Sequence, residues 1–282
     1  SKFTKSEKID WITKTHFKNA KQAKKQLESY WSLDSKLQAR HEEFIENTLS
    51  NFYLPLGVAP NFLINGDIYT LPMVIEESSV VAAAANAAKF WSKRGGFKTK
   101  VINSLKVGQI HFFYEGNPKE LSAFFKNRKS DLLKTLVPLT KNMESRGGGV
   151  MSLDLIDKCD ILENYYQLHL RFKTGDAMGA NFINSCLEHL AKSLIQFASK
   201  DQLSNENNKT IDVLMSILSN YVPECLVHAE VSCPIKEFNL DNHNLNIETF
   251  TKRMIQAVAI AKYDPYRAVT HNKGIMNGVD SL

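Results

Sequence analysis

The sequence predicts an α+β protein in which a large, mainly helical α/β domain is interrupted by a small domain of split β-α-β, ferredoxin-like topology. Three features predict it. Residues 107–233 follow a β-α-β-β-α rhythm, with two-residue alternation in the strands and helical spacing between them. The flanking segments are dominated by helical periodicity. The 282 residues suit one large or two ordinary domains, and 43% hydrophobic against 23% charged residues supplies a core and excludes disorder for most of the chain. The boundaries drawn from this are 1–103 and 223–282 for the large domain and 104–222 for the small one.

Taken in order, residues 6–50 set Ile9, Ile12, Ala20, Ala23, Leu27 and Trp31 at near-helical spacing. Residues 52–76 hold Pro55, Gly57, Pro60, Gly66 and Pro72 between short apolar stretches, the pattern of turns and short strands. An Ala-rich helix is expected over 79–92, with Ser78 or Ser79 as N-cap and Gly95-Gly96 as its stop. Residues 107–114 read as a strand. Residues 118–136 read as a helix with Leu121, Phe124, Phe125, Leu132 and Leu133 on its apolar side. After Gly147-Gly148-Gly149, residues 150–156 and 165–172 alternate as strands. Helices are expected over 177–198 and 209–221, with 224–233 as a candidate last strand. A helix over 247–262 ends at Tyr263-Asp264-Pro265.

The net charge of +5 lies almost entirely in residues 1–25, where eight Lys stand against Glu7 and Asp10. The remainder is near neutral, which argues against nucleic acid as a partner. The Lys-rich segment is either a solvated helix face or a local site for an anion such as phosphate. No apolar run approaches the roughly 20 residues of a membrane span, and no apolar stretch behind the first residues suggests a secretory signal. Cys159, Cys186, Cys225 and Cys233 show no C-x-x-C spacing. The expectation is a cytoplasmic protein with reduced, buried thiols and no metal.

Three stretches could carry chemistry. Asp176-Ala177-Met178-Gly179-Ala180-Asn181 opens a long helix, with Asp176 a natural N-cap and Gly179-Ala180 leaving little side-chain bulk. Free amides there could meet a pyrophosphate; an ordinary capped helix packed on a sheet is the other reading. In Glu76-Glu77, one carboxyl could keep its proton if desolvated and serve as a general acid, although the dipole of the following helix opposes this; the pair could equally be a cap. Residues 267–278, RAVTHNKGIMNG, read as a loop unusually dense in His, Asn, Lys and Gly. A Lys held among amide side chains can stabilise an oxyanion, and Arg267 could clamp a carboxylate; a polar surface loop fits the same residues.

Taken together these segments resemble the hydroxymethylglutaryl-coenzyme A reductases of the soluble bacterial, class II, type. The matching text is ENTLSNFYLPLGVAPNFLING at 46–66, LPMVIEESSVVAAAANAAK at 71–89 and RGGF at 94–97, followed by DAMGANFIN at 176–184 and DPYRAVTHNKGIMNG at 264–278. The resemblance implies reduction of a coenzyme A thioester to mevalonate and CoA by two nicotinamide hydrides, or the reverse, and so a place in isoprenoid synthesis or in mevalonate breakdown. It implies Glu77 as the proton-handling carboxyl and Lys273 as the oxyanion stabiliser. It implies Arg267 and Ser79 on the substrate's free carboxylate, with Asn277 a further substrate-binding residue. Asp176, Met178, Gly179 and Asn181 fall in its nicotinamide-cofactor motif. The small domain would bind the cofactor and the large one the CoA ester. Dimers or larger homo-oligomers with sites at the subunit interface are also implied.

The stretch before the Gly-rich turn contains Thr140, Lys141 and Arg146, with Glu144 its only acid. If it borders the adenosine ribose, Lys141 would meet a 2′-phosphate, which favours NADPH over NADH; a solvated loop is the alternative. Three departures from the family pattern stand out. Ser78 replaces a usual Pro and Ser50 a common Gly. The family's catalytic Asp and its C-terminal flap His would both fall beyond Leu282, so neither role is assigned to Asp280 or His271. On sequence alone, the chain is therefore expected to be part of a longer protein, and a ligand-binding fragment without turnover is the alternative to an enzyme.

Overall fold

The computed structural model describes residues 3–203, 211–238 and 246–282. It forms two compact units, Ser1–Lys98 with Val231–Leu282, and Thr99–Glu230. The divisions fall within a few residues of 103 at the first boundary and eight residues later than 222 at the second.

The first unit opens with three helices, α1 (Lys5–His16), α2 (Ala20–Glu28) and α3 (Ser35–Glu43). Each starts at a side-chain cap, from Thr4, Asn19 and Asp34 respectively, and Thr4 with Glu7 completes a reciprocal capping box. Strands β1 (Leu56–Ile64) and β2 (Asp67–Val74) form an antiparallel hairpin. Its two-residue turn is Asn65-Gly66, both at positive φ, the chemistry that such a tight turn requires. Helix α4 (Val80–Ser92) lies against β1, and the unit closes with α7 (Ile247–Tyr263) and α8 (Pro265–Ser281). Asp264 ends α7 and caps α8, with Pro265 at the first helical position. Residues 267–278, expected to be a loop, are thus helical: one cap and one Pro start the helix, and Gly274 and Gly278 are carried within it.

The second unit runs β3 (Lys98–Phe113), α5 (Pro118–Glu144), β4 (Gly149–Asp157), β5 (Tyr165–Lys173), α6 (Ala180–Lys200), β6 (Asp212–Ser219) and β7 (Cys225–Glu230). The sheet order is β4-β5-β3-β6, with β5 antiparallel to both β4 and β3 and β6 antiparallel to β3. This is the split β-α-β arrangement. Ile110, Phe112, Leu168, Leu170 and Phe172 alternate onto one sheet face and pack with Leu132 and Leu136 of α5 and Leu187, Leu190 and Leu194 of α6. Gly108 lets α6 close on the sheet, since a Cβ there would stand 2.8 Å from Leu187.

Two expectations for this unit are corrected. The helix expected over 209–221 is strand β6, which closes the sheet; residues 209 and 210 lie outside the described residues. Asp-Val-Leu-Met-Ser-Ile-Leu-Ser satisfies either period, and pairing with β3 decides it. Helix α5 runs past Leu136 to Glu144 with Pro138 inside it. Proline removes one helical hydrogen bond, but Leu136, Thr140 and Met143 continue the buried stripe on either side. Lys141 is therefore on the last helical turn and not in a loop. All four cysteines are free; of them only Cys186 is buried, its thiol pushed up to about 11 by burial, whereas Cys159 is exposed.

Candidate functional site

Glu77 lies in the short connection between β2 and α4, and α8 presents Lys273 and Asn277 one helical turn apart. The Lys273 ammonium donates to Glu77 Oε2 and forms an ion pair with it, and Asn277 Nδ2 donates to the same oxygen at 2.9 Å. Glu77, and not its neighbour Glu76, is the carboxylate that these two residues hold. The Lys273 hydrogen bond draws the Glu77 carboxyl below its ordinary value, outweighing a smaller opposing effect of desolvation; the charge of Lys273 and the Asn277 bond add to it. The desolvated, protonated Glu considered from sequence is thus corrected. The side chains are about half exposed, and the resting pair is a carboxylate beside an ammonium.

Ser79, two residues on from Glu77, sits at the N-cap of α4 with φ at 72°, and its side chain makes no capping bond. Arg267 is six positions before Lys273 on α8, which places it about 240° around the helix axis. With His271, one turn on, it lines a groove of about 430 Å³ between α7 and α8 that Lys262 also borders. The structure therefore gathers Glu77, Lys273 and Asn277, and sets Arg267 on another face of the same helix. The resemblance implies Asn277 as a substrate contact; its bond to Glu77 is what sequence reasoning misses. The four-residue spacing from Lys273 carried that signal once the stretch is read as helix. Ser50, in place of a common Gly, has no positive φ, and its hydroxyl donates to the Leu27 carbonyl.

In the second unit, α6 begins at Ala180 with Gly179 as its N-cap, so Asp176 is not the capping residue expected. Gly179 holds φ at 80°, and a Cβ there would stand 2.5 Å from Thr174 Cγ2. Thr174 is itself buried and fixed by its hydroxyl donating to the Ala177 carbonyl at 2.6 Å. No side chain among the described residues caps the helix, which leaves the first-turn amides and the positive end of the dipole for an incoming anion. Nearby, Gly148 has no room for a Cβ, which would meet the Lys173 carbonyl at 2.4 Å, and Gly175 has positive φ with open space around it. A glycine-lined helix start without a capping side chain fits a dinucleotide pyrophosphate. Asp176, Met178 and Asn181 flank this start, and the Met178 side chain is exposed. Gly179→Ala should lower stability by about 1–3 kcal/mol through strain at positive φ and the Thr174 contact, measured by denaturant unfolding. An unchanged midpoint would show that the glycine is not needed there.

No group of three or more His, Cys, Asp or Glu able to hold a metal occurs among the described residues. No helix among them is long and apolar enough to cross a membrane.

Compared with known proteins, residues 5–282 match the family model described as hydroxymethylglutaryl-coenzyme A reductase. A 3-hydroxy-3-methylglutaryl-coenzyme A reductase from Archaeoglobus fulgidus is 33% identical over 241 residues, covering 86% of this chain and 51% of that protein. A probable reductase of the same name from Borreliella burgdorferi is 32% identical over 250 residues, covering 86% and 53%. The chain spans about half the length of these curated relatives. A solved structure of the class II 3-hydroxy-3-methylglutaryl-CoA reductase from Streptococcus pneumoniae, bound to NADPH in open conformations, superposes with a TM-score of 0.71 at 30% identity, covering 94% of this chain and 71% of that one.

Proposed function

The chain belongs to the hydroxymethylglutaryl-coenzyme A reductase family, and from that premise we propose that the protein reduces hydroxymethylglutaryl-CoA to mevalonate and CoA by two hydride transfers. The observation that carries the reading is the meeting of Glu77 with Lys273 and Asn277, residues about 200 positions apart in the chain.

A nicotinamide cofactor, when bound, supplies the hydride. Lys273 places its ammonium on the oxygen that gains charge as the thioester carbonyl, and later the aldehyde, is reduced. The oxygen left negative by the first hydride takes a proton from solvent, and Glu77, resting as a carboxylate, accepts that proton as the thiolate departs. It returns that proton to the alkoxide after the second reduction. Asn277 fixes the carboxylate for both transfers. Arg267 and Ser79 are proposed to hold the substrate's free carboxylate, Arg267 through paired hydrogen bonds. The proton for the departing thiolate is a part that the resemblance assigns to a histidine, and His271 is not proposed for it. The test follows oxidation of the reduced cofactor together with CoA release on adding the thioester. Cofactor oxidation that does not depend on the thioester would reject the reading.

The N-terminus of α6, with Asp176, Met178, Gly179 and Asn181, is proposed to take the cofactor's pyrophosphate and nicotinamide side, making Thr99–Glu230 the cofactor unit. Lys141, exposed on the last turn of α5, is the proposed partner of a 2′-phosphate. The specificity constant should then favour NADPH, and Lys141→Ala should weaken NADPH selectively. A tenfold preference for NADH would overturn this assignment, taking tenfold as about 1.4 kcal/mol.

We further infer that copies associate through the first unit. Helix α7 has no buried residue, and Met254, Ile255, Val258, Ile275, Met276 and Val279 of α7 and α8 are exposed apolar side chains. Such an area on a free surface favours association. Light scattering on the eluting protein should give at least a dimer, and a monomer at tens of micromolar, about the range of a weak interface, would contradict it.

A further inference from the structure

The sheet of the second unit has a second face, away from α5 and α6, whose polar row the proposed chemistry does not use. On β5, Tyr165, Gln167, His169 and Arg171 alternate with the core residues Tyr166, Leu168, Leu170 and Phe172. In register, His169 stands opposite Gln109 of β3 and Asp154 of β4. Its Nε2 is buried without a hydrogen-bond partner among the described residues. The remaining polar groups are paired: Gln109 donates to Gln167 at 2.9 Å, and Gln167 donates to the Tyr165 hydroxyl, which also meets His111 Nδ1.

The charged groups facing His169 are Arg171 on its own strand, Asp154 on β4, Lys158 just after β4, and Glu224 in the segment leading into β7. His111 is the titratable group contributed by β3, and Lys129 of α5 pairs with Asp154 at 3.4 Å. Arg171 donates from Nε to Glu224 and from Nη1 to Asp154, the latter at 3.2 Å. Both carboxylates around His169 are therefore already engaged by Arg171.

A neutral ring at position 169 leaves these bonds intact. Protonation makes both ring nitrogens donors, so the buried Nε2 must then carry a hydrogen with no acceptor, and a second cation stands beside Arg171. Among the described residues Asp154 and Glu224 are the carboxylates that can answer it, and turning either one towards the ring weakens its bond to Arg171. We propose that His169 is a proton-sensing residue whose protonation releases Glu224 from Arg171 and unlatches the segment leading into β7. Burial, with a smaller contribution from Arg171 and against Asp154 and Glu224, holds the His169 imidazole below its ordinary range; burial does the same for His111. The unfolded chain takes up these protons near pH 6.5, where the folded unit still excludes them. Stability is thus fully present above about pH 6.5, falls as the pH drops through the window below it, and levels once the folded-state values are passed.

The test is amide hydrogen exchange across 222–230 in the full chain at about pH 7.5 and 5.5, corrected for intrinsic rates, in wild type, His169→Gln, His111→Gln and Glu224→Gln. Acidification should speed exchange in the wild type and His111→Gln about tenfold, the effect of losing one charge-assisted hydrogen bond. Glu224→Gln should exchange fast at both pH values, and His169→Gln slowly at both. If His169→Gln does not fold, the wild-type ring titration decides, and it should coincide with the loss of protection. A ring titrating at or above the ordinary histidine value, protection independent of pH, or an undiminished acid response in folded His169→Gln would overturn the proposal.

Discussion

Replacing Lys273 by Met will reduce thioester reduction about 100- to 1000-fold, the usual loss on removing one preorganised oxyanion donor. Met keeps the length and apolar stem of lysine and removes only the charge and its donors. The Lys273 side chain is 61% exposed, so the fold has little invested in it, and the unfolding midpoint should move little. A second consequence follows from the geometry. Lys273 is the largest influence drawing the Glu77 carboxyl below its ordinary value, so Glu77 in Lys273→Met should titrate closer to a free glutamate. Turnover within threefold of the parent, well inside the range of one lost donor, would reject the role.

Glu77→Gln will abolish turnover, while Glu76→Gln will be mild. Gln keeps the size of the side chain and can still accept from Asn277, but it cannot take up and return a proton. It also removes the anion from the ion pair and leaves Lys273 without its partner. Glu76 is exposed and is not the carboxylate that Lys273 holds, so neutralising it leaves the cluster whole. Steady-state turnover of the two variants separates them. Equal losses, or a greater loss at Glu76, would place the proton transfer elsewhere.

Much of the fold was legible because two periods rarely coincide. Tyr165–Lys173 alternates cleanly, and the helix α6 keeps Ile183, Leu187, Leu190 and Leu194 on one side. The Pro and Gly residues of 52–76 announced turns between short strands. The misreadings share one cause, local signals overridden by partners distant in sequence. Asp212–Ser219 is short and apolar enough for either state, and only the unpaired edge of β3 makes it a strand. Residues 267–278 read as a loop because Gly274, Gly278, Asn272 and Asn277 lower helix propensity, yet the Asp264-Pro265 start and packing against α7 and α4 hold the helix. The helix expected over 118–136 continues to Glu144 because the buried stripe of α5 absorbs Pro138. At the candidate site, the motif text singled out Glu77 and Lys273, but their contact spans about 200 residues and no local pattern carries it. The start of α6 shows the reverse: Asp176 has ideal capping chemistry, and the left-handed Gly179 moves the cap three residues on.

The central claim is that Glu77 and Lys273 act as one unit on the reacting oxygen. The double variant Glu77→Gln/Lys273→Met tests it most directly, through turnover measured beside both single variants and the parent. Residues that act together lose their effect once, so the double variant should be about as slow as the slower single one. Losses that multiply across the two substitutions, as for independent sites, would contradict it.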